Sequence, residues 1–239
     1  WQTITKKGGL MSQNVDKLLQ DSSVRLATTR KYATELAAAG INPEFITQLE
    51  GKIGVLRAEN TAFNEAKNLK TEFTGSQKAQ IKTSQDVIRK FRATAQIAYY
   101  GDKVVLKEFG IGKDIPSSVK TLSTELPNLK EVAGRCADKL ATAGIAAADI
   151  AALETSTNEL VAIDQEQEES KNAQKTQKTV VDAAVKTVKE LMFKVNKAAS
   201  IVFMHDKAKL DEFKSIFPKS KTEKTEDGTT TTPETGTNP

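Results

Sequence analysis

The chain writes "LAAAGINPEFITQLE" at 36–50 and "LATAGIAAADIAALE" at 140–154. Sliding the sequence against itself by 104 residues lays 15–109 on 119–213 without a gap, with about 27 identities among the 95 pairs. Leu36, Ala37, Ala39, Gly40 and Ile41 fall on Leu140, Ala141, Ala143, Gly144 and Ile145. Asp102, Lys103, Leu106, Glu108 and Phe109 fall on Asp206, Lys207, Leu210, Glu212 and Phe213. A match that needs no gap requires loops of equal length as well as equivalent helices, so the sequence reads as a duplicated domain.

The residues available decide what each copy is built from. Apolar residues make up 38% of the 239 and aromatics 5%, while Gly (13) and Pro (6) are sparse. Abundant Ala, Lys, Glu and Gln favour helix over sheet, and the core falls to Leu, Ile, Val and Ala. The expectation is an all-α protein: two tandem helical bundles at 14–110 and 117–217, each of three long helices and a short one, followed by a flexible Thr/Pro-rich tail at 218–239. The tail, "PKSKTEKTEDGTTTTPETGTNP", offers no apolar face to bury.

Local signals divide each copy. A first helix over 14–39 or 117–143 ends at Gly40 or Gly144, where positive φ lets the last carbonyls be satisfied. Pro43 sits in the first turn of the next helix. Pro127, opposite Ser23, is expected to kink or delay its helix. Ile46, Leu49, Ile53, Leu56 and Phe63 mark a second helix, and Val181, Val185, Val188, Met192, Val195 and Ala199 a third, with the spacing of one apolar seam. Asp102 and Asp206 read as N-caps of the short fourth helix. Asn60, Lys67, Asp164, Gln167 and Lys171 also fall on the seam. The polar run "DQEQEESKNAQKTQKT" at 164–179 therefore reads as the wet tip of the second bundle.

Chemistry-bearing constellations are scarce. A di-metal carboxylate bundle needs inward Glu and Glu-x-x-His pairs, yet the only histidine is His205, and its equivalent is Gly101. The lone Cys136, between Ala133 and Leu140, reads as a core filler. "GIGK" at 110–113 lacks the strand before it and the Ser or Thr after it that a phosphate loop requires. No catalytic residue, cofactor or metal site is assigned, and the chain is read as no enzyme. A net charge of +4 from 35 basic and 31 acidic residues is too mild for a nucleic-acid protein. No apolar run approaches a membrane span. The start lacks the apolar region of a signal peptide, Met11 offers a natural start, and a place in the cytoplasm, a virion or another assembly is favoured.

Charge segregates by helix: Lys78, Lys82, Arg89, Lys90 and Arg92 lie on the outer half of one, and Glu154, Glu159, Asp164, Glu166, Glu168 and Glu169 mark another as acidic. Neighbouring helices of opposite sign account for most of this. Candidate partner contacts are Tyr99 and Tyr100 of "YYGDK", and Glu166, Glu168 and Glu169 of the polar run. The function expected is a structural or interaction protein, a rigid spacer or assembly subunit with a protein partner or self-assembly. The alternative is a helical sensor holding a small molecule near Tyr99 and Tyr100.

Overall fold

Asn42 and Pro43 start one of the two longest helices of the molecule in the way their chemistry dictates. The Asn42 side chain accepts the Phe45 N–H at 2.9 Å, and Pro43 occupies the first turn, where its missing N–H leaves nothing unpaired. From there α3 runs as one helix from Pro43 to Ala98, and its equivalent α7 from Ala147 to Val202. The computed structural model describes residues 5–217, with side chains from Val15 onward. It is all-helical over the described residues: α1 (Thr5–Lys31), α2 (Ala33–Ala37), α3, α4 (Lys103–Glu108), α5 (Val119–Arg135), α6 (Ala137–Thr142), α7 and α8 (Lys207–Glu212). The tail expected at 218–239 lies outside the described residues.

Two expected long helices per copy are therefore fused into one of 56 residues, about 84 Å long at 1.5 Å per residue. The stretch 164–179 is not a tip but the interior of α7. It contains neither Gly nor Pro, and eleven of its sixteen residues are Gln, Glu, Lys or Ala, so nothing local stops the helix. In α3 the matching interior carries a single Gly75, a cost of about 1 kcal/mol that one residue of a long helix absorbs.

The first expected helix of each copy, in contrast, is split. Tyr32 (φ −111°, ψ 27°) separates α1 from α2, and Cys136 (φ −104°, ψ 11°) separates α5 from α6. Pro127 sits within α5 without delaying its start. It lies on the exposed side of α5. Gly40 and Gly144 have φ of 86° and 101°, as their place after the helix predicts. Ile41 N–H donates to the Leu36 carbonyl and Ile145 N–H to that of Leu140, at 3.2 and 2.9 Å. Buried Ile41 and Ile145 complete both terminations against the same leucines.

The long helices lie antiparallel. Gln80 meets Glu159, Gln77 meets Asp164, and Lys90 meets Asp149, one number rising as the other falls. Each end of this pair carries its own apolar core. One joins Val15, Leu26, Tyr32 and Leu36 to Ile46–Phe63 of α3 and to Val181, Val188, Leu191, Met192 and Val195 of α7, with Phe203 and Phe213. The other joins Leu122, Leu126, Leu129, Val132, Ala133 and Leu140 to Leu153 and Leu160 of α7 and to Ile88, Phe91 and Ala95 of α3, with Phe109. Neither core coincides with the expected units 14–110 and 117–217, because each takes half of α3 and half of α7. The seam of α3 is thus split between two sets of partners.

Between the cores lies a polar neck. From 64 to 80 on α3 and from 161 to 180 on α7 no apolar side chain is fully buried. The contacts there are Gln77 to Asp164 at 2.6 Å, Gln167 to Thr74 at 3.3 Å and Gln80 to Glu159 at 3.0 Å. Asn60 and Gln167 are buried on this seam, and Lys67, Asp164 and Lys171 half-buried, where the spacing puts them.

Candidate functional site

Three regions compete as the functional surface: the helix ends that carry the tyrosines, the acidic stretch of α7, and the clefts. Tyr99 ends α3, where its N–H returns to the Ala95 carbonyl. Its ring tilts against Phe109 at 6.4 Å, with the Lys139 ammonium 4.8 Å from its centre. Its hydroxyl reaches Cys136, whose main-chain oxygen lies 3.5 Å away. A side-chain hydrogen bond with Cys136, and after it burial, push the Tyr99 phenol up to about 12. Tyr99 is therefore a packing residue at the edge of a core. Cys136 is half-buried at a helix break rather than a filler at the centre of the seam.

Tyr100 turns the other way and is 94% exposed. Ile97 and Val104 are exposed beside it, at 74% and 72%, so the end of α3 and start of α4 show three large apolar side chains. At the equivalent places on α7, Ile201 and Met204 are 64% and 62% exposed, while Phe203, the partner of Tyr99, is buried. Because α3 and α7 run antiparallel, the two patches stand at opposite ends of the helix pair, roughly 80–90 Å apart. Scattered exposed apolar residues need no explanation, but here the exposure of Ile97 and Tyr100 recurs at Ile201 and Met204, 104 residues on. Sequence reading singled out Tyr99 and Tyr100 and missed Ile97 and Ile201. The signal available was an isoleucine kept in both copies at a position off the seam.

Glu166, Glu168 and Glu169 are exposed on the interior of α7. Glu168 is paired with Lys171 at 2.6 Å and Glu169 accepts from Gln165 at 3.2 Å. They lie alongside the polar neck, about 35–40 Å along the helix axis from the tyrosines. The five candidate contacts do not form one site. His205 is exposed. Among the described residues no group of three His, Cys, Asp or Glu side chains is gathered to hold a metal, and no helix is long and apolar enough to cross a membrane.

Part of the charge segregation is absorbed by ion pairs. Lys90 binds Asp149 at 2.8 Å and Lys130 binds Glu154 at 2.6 Å, and each lysine holds its partner's carboxyl below the usual carboxylate range. Arg92 departs from the expected outer face and is buried. Its Nε donates to the Phe109 carbonyl, Nη1 to that of Lys113 and Nη2 to Glu125, at 3.1, 2.7 and 3.1 Å. The guanidinium thus pins the turn after α4, a role visible only once 92, 109, 113 and 125 are brought together.

Two clefts lie away from the tyrosines. One of about 640 Å³ runs over Asp182, Val185, Lys189 and Phe193 on the outer face of α7. The other, about 380 Å³, lies beside the turn, between Arg92, Lys113, Lys120 and Glu125. No protein-family model, curated protein or solved structure matches the chain.

Proposed function

We propose that the chain is a tandem duplication serving as a non-enzymatic, two-ended helical spacer or assembly subunit that holds protein partners at a set separation. The observation that carries the reading is the pair of like apolar patches at opposite ends, Ile97 with Tyr100 and Ile201 with Met204. The repeat of element bounds supports the duplication: α3 and α7, and α4 and α8, begin and end 104 residues apart. Two equivalent ends joined by unbroken helices suit bridging better than enclosure of a ligand, since the exposed side chains point outward and Tyr99 is occupied by packing.

The test uses the full chain as bait against extract of the source cells. Ile97→Asp and Ile201→Asp, singly and together, should leave helical content unchanged, because both side chains are already exposed. Each single change should remove part of the captured material and the double change nearly all of it, read by quantitative mass spectrometry. Undiminished capture by the double variant would defeat the reading.

A further inference from the structure

Neither half of the chain closes a core by itself. Ile88, Phe91, Ala95 and Phe109 of the first half share one core with residues of α5, α6 and the start of α7. Val181, Val188, Val195, Phe203 and Phe213 of the second are buried through α1, α2 and the start of α3. The segment 110–118 is the covalent link between the halves. A second copy of the chain presents the same surfaces, residue for residue, to whichever half comes free.

Buried charge specifies which half fits which. Asp21 and Glu125 occupy equivalent positions, 104 residues apart. Asp21 is matched by Arg25 of its own helix at 3.2 Å, and Arg25 also donates to Asn196 of α7. Glu125 is matched from across the interface by Arg92 at 3.1 Å, and Leu129 stands where Arg25 would be. The cation has changed helices between the two cores. Two first halves paired together would set Arg25 and Arg92 against one Asp21. Two second halves would leave Glu125 among Leu129 and Asn196 with no cation. The first sets two cations against one buried carboxylate and the second leaves half-buried Glu125 without a partner, so both are disfavoured.

We propose that a second copy of this chain is a binding partner, the two copies trading complementary halves so that 15–109 of each packs on 119–213 of the other. This deepens the assembly reading by naming the partner, and its failure would leave the end patches untouched. The hinge is the turn after α4. Gly110 and Gly112 have φ of 71° and 89°, and Gln85 holds the Pro116 carbonyl at 2.8 Å. Opened out, the nine residues 110–118 reach about 30 Å. A Cβ at Gly110 would lie 2.6 Å from Arg92 Nη2, so Gly110→Ala strains the closed turn and favours exchange, as hinge-loop changes do.

The experiment mixes two full-length proteins, both carrying Cys136→Ser, one with Gln77→Cys and the other with Asp164→Cys. These side chains touch across α3 and α7, but in unexchanged molecules the two thiols sit in different proteins and meet only by random collision, the background that the 60–77 pair below measures. After joint unfolding and refolding at high concentration, exchange yields a 77–164 disulfide between chains and a species of twice 26.0 kDa by light scattering. Adding Gly110→Ala should raise that species several-fold. Gln77→Cys mixed with Asn60→Cys, the pair that two first halves would bring together, should cross-link at least tenfold less. Absence of the 77–164 disulfide in proteins of unchanged helicity overturns the proposal, as does a dimer without it or equal 60–77 cross-linking. If Gly110→Ala fails to fold, the wild-type turn carries the test alone.

Discussion

The two cores are built on one backbone plan and filled differently. On α1 the inward positions are Ser22, Arg25 and Thr29, all buried, whereas their equivalents on α5 are Leu126, Leu129 and Ala133. The polar core pairs its groups both within the helix and across the chain: Ser22 and Thr29 donate to the Leu19 and Arg25 carbonyls, and Asp21 accepts from Ser215 and the Ile216 N–H, while Arg25 Nε is buried without a partner. The apolar core relies on burial. Equivalent positions thus carry opposite chemistry, and the difference makes the halves complementary rather than interchangeable.

The sharpest way to break this comparison is to truncate equivalent positions. Leu126→Ala should cost about 2–5 kcal/mol through lost burial and a cavity, while Ser22→Ala should cost less than about 1 kcal/mol, one local hydrogen bond. Denaturant titration of both variants decides it, and equal losses would mean that the cores are filled alike in energetic terms. The helix terminations should show no such asymmetry. Gly40→Ala and Gly144→Ala each force alanine to positive φ, a cost of about 1 kcal/mol. A difference between them larger than that in unfolding free energy would locate extra strain at one turn.

The smallest effect is a pH dependence. Glu212 accepts from Lys31 Nζ at 2.8 Å and from the Tyr32 hydroxyl at 2.9 Å. These bonds, that of Lys31 first, hold its carboxyl below the usual carboxylate range, and Glu212 in turn raises Lys31. A folded value below the unfolded one, about 4.3, places the stabilisation above that pH and removes it as pH falls through the folded value. Wild type and Glu212→Gln should therefore differ slightly in melting temperature at pH 6 and converge toward pH 3. At the other end Glu108 pairs with Arg135 at 3.1 Å, beside Cys136 in place of Tyr32. A gap that stays constant down to pH 3 would remove Glu212 from the clamp.

What the sequence made legible is what local chemistry decides. Gly40 and Gly144, Pro43, Asp102 and Asp206 act within four residues of themselves, and each lies in the predicted role: Asp102 accepts the Val105 N–H and Asp206 that of Lys209. The run of α3 and α7 through their midpoints was not legible. A seam that serves two sets of partners has the same period as one that folds back on itself, and only the missing breaker in 164–179 argued otherwise. Arg92 was misplaced for a related reason: its partners lie 17, 21 and 33 residues away. The end patches went unread because exposure is a property of what fails to cover a residue, and no local spacing encodes it.

The continuity of α3 and α7 also sets the order in which this protein is made. The core around Phe91, Phe109 and Leu126 has all its parts once residue 160 has left the ribosome. The core around Leu36, Leu49 and Phe63 waits for Val181 to Phe213. α1 meets the start of α3 early, but the core they share is closed only by contacts across more than a hundred residues, the slow and exposed kind to form. During that interval the apolar faces of α1 and early α3 are covered only by each other. A stalled or truncated chain presents an unpaired half, so completion of the C-terminal segment through Phe213 is the step that commits the molecule to its fold.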